Sequence, residues 1–236
     1  MTPAFDRVPG RNSGFTLIEL ALVLFILALV LGGLLAPLSV RMEQNERNQT
    51  EKSLAEINEA LYGFAVVNGR LPCPDYSPGN NPTHVENCAS MSGTVAVQWL
   101  PAATLGVSPY DAWGRRFRYA VNVQFADATP GTGGCSGSPA LGVSFELCST
   151  ASIDVRDSAD AGFSNVVTAV PAIVVSFGAN GGTPANSTHE QENQDSDAVF
   201  VLKSYSRDSA NEFDDLLTWI SPTVLMNRMV VAGRLP

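Results

Sequence analysis

The longest uninterrupted apolar stretch of the chain lies close to its amino terminus. From Leu20 to Val40 there is no charged residue. An α-helix needs about twenty mainly apolar residues to cross the hydrocarbon core of a bilayer. The pattern therefore predicts a single membrane-spanning helix. Because Arg7 and Arg11 precede this helix, we expect the amino terminus in the cytoplasm and the carboxy-terminal bulk of the chain in the periplasm.

The helical pattern continues beyond the apolar run in amphipathic form. After a polar stretch, Leu54, Ile57, Leu61 and Phe64 recur at steps of three and four residues, which places them on one helix face. We interpret this stripe as packing against the protein's own core rather than as a partner surface. The helix is predicted to end at residues 68–69, because a glycine there suits a left-handed cap and prolines follow.

The remainder of the chain has the pattern of an α+β domain. Residues 71–107 are rich in Pro, Gly, Asn and Ser, which predicts loop with a short helix near residues 99–105. Apolar and polar residues alternate over residues 117–125, as in a strand with one buried face. Further strands are predicted at residues 143–147, 172–177 and 198–205, and a short helix from Ser221-Pro222 to Gly233. The predicted fold class is α+β, with the long amino-terminal helix laid against an antiparallel β-sheet.

A polar leader precedes the apolar run, and this order differs from that of a secretory signal peptide. In a signal peptide the cleavage site follows the apolar core, so that cleavage removes the core. Here Met1–Gly14 is polar, and Phe15 leads directly into the apolar run. A cut after Gly14 would leave the helix on the mature protein. Glu19 then lies within an apolar helix, where an ionisable side chain needs a partner and indicates a functional role.

The segment Gly14-Phe15-Thr16-Leu17-Ile18-Glu19 resembles the prepilin cleavage and methylation motif of type IV pilins and type II secretion pseudopilins. The resemblance implies that a prepilin peptidase cuts after Gly14 and methylates the new amino terminus, Phe15. It also implies that Glu19 pairs with the Phe15 amine of a neighbouring subunit and sets the register of packed helices during assembly. Two further segments, residues 68–72 and 111–114, resemble the head of the major pseudopilin.

The resemblance divides the chain into four segments and implies a function. Residues 1–14 are a cleaved prepilin leader, residues 15–40 a transmembrane and filament-core helix, residues 41–68 its amphipathic continuation, and residues 69–236 a periplasmic pilin-like globular head. The implied function is that of a non-enzymatic structural subunit of a type IV pilus or a type II secretion pseudopilus. The alternative is a membrane-anchored periplasmic enzyme or ligand-binding domain whose anchor is not cleaved.

The same resemblance implies where the protein resides and what it contacts. It would cross the inner membrane once, with its head in the periplasm, and then enter a periplasmic or extracellular filament. The implied partners are copies of itself, other pilins or pseudopilins, prepilin peptidase, an inner-membrane assembly platform and, before assembly, membrane lipid. The formal net charge of −9 disfavours nucleic acid as a further partner, since that binding grows with the number of Lys and Arg.

The cysteines fit the same location. All four, Cys73, Cys88, Cys135 and Cys148, follow the predicted span, and an even number there suits disulfide bonds in an oxidising compartment. Pairing of neighbours, Cys73 with Cys88 and Cys135 with Cys148, is one of the three connectivities that four cysteines allow. Their spacing contains no CxxC pair, which argues against a zinc site.

Catalytic and cofactor-binding motifs are largely missing from the sequence. His84 and His189 have no second His or Cys at metal-ligand spacing, and no nucleophile elbow or phosphate loop occurs. We therefore expect neither catalysis nor a required cofactor. Residues 178–197 are the strongest candidate for a ligand site, because hard oxygen donors on a turning loop suit Ca²⁺. This segment resembles the loop in which pseudopilin heads hold calcium, and the resemblance assigns Asp195 and Asp197 as ligands; a solvated acidic loop is the other interpretation.

Overall fold

The computed structural model describes residues 14–127, 142–181, 187–208 and 211–235, without the side chains of residues 32–39. The chain forms two compact units, Met1–Asn45 and Glu46–Pro236. One element contributes to both units, a 52-residue helix, α1, that spans Leu17–Asn68. The predicted long amino-terminal helix is therefore confirmed.

In the first unit, the described side chains of α1 and the residues just before it form an exposed apolar surface. Phe15, Leu17 and Ile18 are 83%, 89% and 77% exposed, and the large apolar residues from Leu20 to Leu31 are exposed as well. Over the part of the chain that the structure describes, no helix is both long and apolar enough to cross a membrane, and the predicted span is not confirmed.

In the second unit, α1 buries one face. Leu54, Ile57 and Leu61 lie in the apolar core, and Phe64 is half-buried at its edge. The interpretation of this stripe as a contact with the protein's own core is confirmed. The helix ends as predicted, because Gly69 adopts a left-handed φ of 73° and its N–H still reaches the carbonyl of the preceding turn.

Beyond α1, the described residues contain seven strands and four α-helices. The strands are β1 (Val95–Trp99), β2 (Arg118–Asn122), β3 (Ile153–Arg156), β4 (Asn165–Val170), β5 (Ala172–Ser176), β6 (Val199–Val201) and β7 (Leu216–Trp219). The helices are α2 (Ala102–Leu105), α3 (Val123–Ala126), α4 (Thr188–Gln194) and α5 (Pro222–Val231). A 3₁₀ turn occupies Cys88–Ser90.

The main sheet consists of antiparallel strands in the order β1-β2-β5-β7. One of its faces packs against α1 and α5. Tyr119 and Val174 of the sheet share an apolar core there with Ile57 of α1 and with Leu225 and Met229 of α5. The carboxy-terminal helix thus completes the layer that α1 begins.

A smaller sheet covers the other face of the main sheet. Its order is β4-β3-β6, with β3 antiparallel to β4 and parallel to β6. Ala120 and Ile173 of the main sheet share a second apolar core with Val155 and Phe200 of the smaller sheet. The second unit is therefore layered as helix, sheet and sheet, which confirms the α+β fold class.

Some strand predictions are wrong. The strand expected over residues 117–125 ends at Asn122, and residues 123–126 turn into α3. Its alternation is also not kept, because β2 has an apolar core on both faces and every residue from Tyr119 to Asn122 is buried. Residues 143–147 form no strand: Ser144 donates to the backbone carbonyls of Gly69 and Phe125 instead, which holds this segment as a loop beside the end of α1.

Other elements are shorter than expected or missed. The predicted strand at residues 172–177 is present as β5, whereas residues 198–205 contain only the three-residue β6. The supposed loop at residues 71–107 contains β1, and α4, β3, β4 and β7 were not predicted. The final helix begins at Pro222 as expected and is followed by Gly233 in the left-handed region, but the Ser221 side chain forms no capping hydrogen bond.

Candidate functional site

The junction between Gly14 and Phe15 lies in the short non-helical stretch that precedes α1. Both residues are exposed, and no heavy atom beyond the chain neighbours lies within 4 Å of the place that a Cβ on Gly14 would take. The backbone at this junction is therefore accessible to a peptidase. Arg7 and Arg11 of the predicted leader lie outside the described residues.

Thr16 and Glu19 bracket the first turn of α1. Because the helix begins at Leu17, Thr16 is its N-cap residue and Glu19 its third residue. The Glu19 backbone N–H donates to Thr16 Oγ1 at 3.3 Å and to the Thr16 carbonyl at 3.1 Å. Thr followed three residues later by Glu is the capping-box pattern, and a carboxylate in the first turn also interacts favourably with the helix dipole. The sequence analysis missed this cap, although its signal is local.

The predicted disulfide between Cys73 and Cys88 is confirmed, with a Cα–Cα distance of 5.1 Å. The loop that it closes is also held by Arg70, which donates to both carboxylate oxygens of Glu86 at 2.8 and 2.9 Å. Burial favours a higher pKa for Glu86, but the hydrogen bonds from Arg70 and from the Cys73 N–H outweigh it and lower that pKa. The other predicted pair includes Cys135, which lies outside the described residues.

The two residues assigned to calcium, Asp195 and Asp197, follow α4 in an exposed turn. Together with Glu192 they place one carboxylate oxygen each within 4.8 Å of the others. The Asp195 Oδ1 accepts the Asp197 N–H at 3.1 Å, and the Asp197 Oδ1 accepts the Val199 N–H at 2.7 Å. Partial burial and the neighbouring Asp197 raise the pKa of Asp195. Calcium binding by this pair stays a prediction.

A second acidic cluster is buried and was missed in the sequence. Glu190 lies on α4, and Asp214 and Asp215 lie directly before β7; these residues are 0%, 8% and 3% exposed. One carboxylate oxygen of each is within 4.8 Å of the other two. Burial raises the pKa of all three carboxyls, most strongly that of Asp215. The sequence did contain a signal, namely two adjacent aspartates directly before an apolar strand. Charged residues in such a place need partners, because they are seldom buried without them.

The two histidines make other contacts, although His189 directly precedes Glu190 on α4. The Ala159 N–H donates to His189 Nδ1 at 3.1 Å, and Lys203 Nζ lies 2.8 Å from His189 Nε2. Burial lowers the pKa of His84 and of His189. Among the residues that the structure describes, neither histidine belongs to a group of side chains that could hold a metal ion.

Comparison with known proteins adds one finding at the amino terminus. Residues 9–35 match the family model of the prokaryotic N-terminal methylation motif. The match contains the accessible junction at Gly14-Phe15, the capped helix start and Glu19. It confirms the motif on which the resemblance rests. Neither a curated protein nor a solved structure matches the chain.

Proposed function

We propose that this chain, whose residues 9–35 carry the prepilin cleavage and methylation signal of type IV pilins and pseudopilins, is a structural subunit of a type IV pilus or a type II secretion pseudopilus. The match to this signal is the observation that carries the proposal. Prepilin peptidase cuts the precursor between Gly14 and Phe15 and methylates the new amine of Phe15. The function of the mature protein is then assembly through its amino-terminal helix.

The exposed apolar surface at the start of α1 supports this role. Phe15, Leu17 and Ile18 have most of their surface uncovered, and the exposed run continues to Leu31. Burying one large apolar side chain gains about 1.5–3 kcal/mol, and contiguous apolar patches of this size mark contact surfaces. Membrane lipid covers this surface in the precursor, and helices of neighbouring subunits cover it in the filament.

Glu19 gains a specific role once the junction is cut. Cleavage creates a cationic amine at Phe15, one helical turn before Glu19. Within packed apolar helices an unpaired carboxylate is costly, whereas pairing with the Phe15 amine of a neighbouring subunit offsets the charge of both groups. Only one axial offset between two helices brings these groups together, so that the pair sets the register of assembly.

The second unit is suited to the periplasmic side of the membrane. Its Cys73–Cys88 disulfide is stable in an oxidising compartment, and closing a loop of this length stabilises a fold by about 3 kcal/mol. The half of α1 that enters this unit is held by its apolar core. The unit therefore provides the folded head of the proposed subunit.

The test is mass spectrometry of the amino terminus in cells with and without prepilin peptidase. We expect a chain that begins at methylated Phe15 when the peptidase is present and the full precursor when it is absent. Gly14→Val should block processing, whereas Gly10→Val, a matched change within the leader, should leave it intact. An unprocessed chain beginning at Met1 in both strains would reject the proposal in favour of an uncleaved membrane anchor.

A further inference from the structure

We propose that Glu190, Asp214 and Asp215 together bind one divalent cation of the calcium type, which ties α4 to the segment leading into β7. This site is independent of the amino-terminal junction and of filament assembly. It also uses neither of the aspartates, Asp195 and Asp197, that the sequence assigned as calcium ligands.

The geometry of the three carboxyl groups fits such an ion. Glu190 and the two aspartates come from different parts of the fold, yet one oxygen of each lies within 4.8 Å of the other two. Oxygens that share one Ca²⁺ at about 2.3–2.6 Å are at most about 5 Å apart. The observed spacing is therefore within the limit that one shared Ca²⁺ allows.

Hydrogen bonds orient the two aspartates and leave one oxygen of each unpaired. The backbone N–H of Asn180 donates to Asp214 Oδ2 at 2.9 Å, and Asn193 Nδ2 donates to Asp215 Oδ2 at 2.8 Å. The Oδ1 atoms of Asp214 and Asp215 are buried and have no hydrogen-bond partner among the described residues. Since a buried carboxylate oxygen without a donor carries its full desolvation cost, these two atoms indicate a cationic ligand.

The described part of the chain does not supply that positive charge itself. None of its ion pairs includes Glu190, Asp214 or Asp215. Arg115 acts on Asp214 from a distance, but its guanidinium donates to the backbone carbonyl of Ala179 at 2.7 Å. A divalent cation would offset most of the negative charge that burial otherwise penalises.

The backbone packs closely against the unpaired oxygen of Asp214, and a groove leads to Asp215. Gly178 has a φ of 58°, and a Cβ on it would overlap Asp214 Oδ1. Only glycine lets the backbone pass this close to the carboxylate. Asp215 in turn lines an open groove of about 590 Å³ between α1 and β7, and this groove would be the entry route of an ion from solvent.

The donor set selects the class of metal. Carboxylate oxygens are hard ligands, whereas zinc sites in proteins are built mainly from Cys and His. Mg²⁺ demands short, near-octahedral coordination and gives up its water reluctantly, whereas Ca²⁺ accepts six to eight oxygens in flexible geometry. Three carboxylates with water completing the shell therefore favour calcium.

The exposed cluster next to α4 is the weaker candidate for the same ion. The Oδ1 atoms of Asp195 and Asp197 already accept backbone N–H groups, and solvent screens their charge. The buried cluster differs in having oxygens with no partner. This difference makes the two clusters a matched pair for an experiment.

The experiment measures calcium binding by calorimetry and thermal unfolding on the full mature chain in detergent, after removal of metals with a chelator. We expect calcium at about 1 mM to raise the melting temperature of the native chain by about 5–10 °C, and magnesium to raise it less. The double variant Asp195→Asn, Asp197→Asn should keep this response. Asp215→Asn should lose it, with an affinity weakened at least about 100-fold.

A second measurement separates loss of the metal from misfolding. Asparagine matches aspartate in volume, and its amide in place of Oδ1 would face the neighbouring carboxylates as a donor. In chelator, Asp215→Asn should therefore melt at the same temperature as the native chain or above it. The proposal is overturned if the native chain shows no calcium binding, if the Asp195, Asp197 variant alone loses binding, or if Asp215→Asn melts lower in chelator.

Discussion

Glu19 meets two physical demands with one side chain. As the third residue of α1 it donates its backbone N–H to Thr16 Oγ1, and Thr followed by Glu at this spacing is the capping-box pattern, in which the Glu side chain can cap in return. As a carboxylate next to the amine that cleavage creates, it also provides the charge that registers neighbouring helices in the proposed filament. Glutamine can cap in the same way but has no charge, so that substitution separates the two roles.

We predict that the charge of Glu19, and not its cap, is required for assembly. Glu19→Ala and Glu19→Gln should both be cleaved after Gly14, and both should fail to form filaments. Thr16→Ala removes the cap oxygen at a cost of about 1 kcal/mol and should still assemble. Mass spectrometry reports the cleavage, and electron microscopy of sheared filaments reports the assembly. Filaments from Glu19→Gln at native yield would show that capping suffices.

Two arginine–carboxylate pairs of the second unit differ in burial and hence in strength. Arg116 pairs with Asp75, whose side chain is 1% exposed, whereas Arg228 pairs with Glu59, whose side chain is 65% exposed. Removing the cation of a buried pair leaves an uncompensated charge, which costs about 3–5 kcal/mol. An exposed pair contributes about 1 kcal/mol or less, because water and salt screen it.

We therefore predict that Arg116→Met destabilises the fold several times more than Arg228→Met does. The measurement is urea unfolding of the full chain in detergent, followed by tryptophan fluorescence. Both variants lose one positive charge and one stacking contact with an aromatic ring, so that the change in net charge is the same. Equal losses of unfolding free energy would contradict the assignment of Asp75 as a buried, paired carboxylate.

Among the elements, α1 has one glycine, Gly63, inside its second half and another, Gly69, directly after its last residue, and the two are in opposite situations. Gly63 lies exposed within the helix, and no heavy atom outside its own helical turns lies within 4 Å of its Cβ position. Gly69 follows the last helical residue with a φ of 73°, and a Cβ there would lie 1.8 Å from the carbonyl oxygen of Gly142. The first position therefore tolerates a side chain, whereas the second excludes one twice over, by conformation and by contact.

We predict opposite effects of alanine at these positions. Gly63→Ala should stabilise the second unit by about 0.5–1 kcal/mol, because alanine loses less backbone entropy in a helix. Gly69→Ala should cost more than the about 1–2 kcal/mol of a left-handed alanine, since the backbone at Gly142 must also move. Urea unfolding of both variants measures the change in the free energy of unfolding, which should be positive for Gly63→Ala and negative for Gly69→Ala. A neutral Gly69→Ala would mean that the helix does not end in the left-handed cap.

The accuracy of the sequence predictions follows from how local each signal is. The end of α1 at Gly69 and the start of α5 at Pro222 were predicted because caps and prolines act on their immediate neighbours. The strand β2 was read as half-buried because alternation reports one core, whereas the smaller sheet adds a second core on its other face. No local sequence pattern near β2 predicts a second sheet, because the strands of that sheet lie far from β2 in sequence.

The same reasoning explains what was found and missed among the candidate sites. Gly14, Phe15 and Glu19 lie within one short motif, which a sequence displays directly. Glu190 and Asp214 are separated by more than twenty residues and meet only because the tertiary fold brings α4 against the segment before β7, with the Asp214 N–H donating to Glu190 Oε1 at 2.9 Å. A cluster of this kind depends on the tertiary fold, so sequence reasoning favoured the neighbouring Asp195 and Asp197 instead.

At the scale of the whole molecule, the buried cluster contributes a pH dependence of stability that is opposite to the contribution of Glu59 and Glu86. Burial raises the pKa of Glu190, Asp214 and Asp215 above ordinary values near about 4, so the folded chain holds protons that the unfolded chain has released. A carboxyl whose pKa is higher in the folded than in the unfolded chain stabilises the folded chain at low pH. This stabilisation is lost as the pH rises through the pKa that the group has in the folded chain. The lowered pKa values of Glu59 and Glu86 act in the opposite direction, because their contribution is lost as the pH falls.

We predict that this dependence is visible as a difference between two chains that share all other titrating groups. In chelator, the melting temperature of the native chain should fall relative to that of Asp215→Asn as the pH rises from about 4 to about 7. The lowered pKa values of His84 and His189 affect both chains equally and cancel in the difference. Added calcium should abolish the deficit of the native chain at neutral pH, because the ion takes the place of the released protons. If the melting temperatures of the two chains instead differ by the same amount at every pH in this range, Asp215 has the same pKa in the folded and unfolded chains.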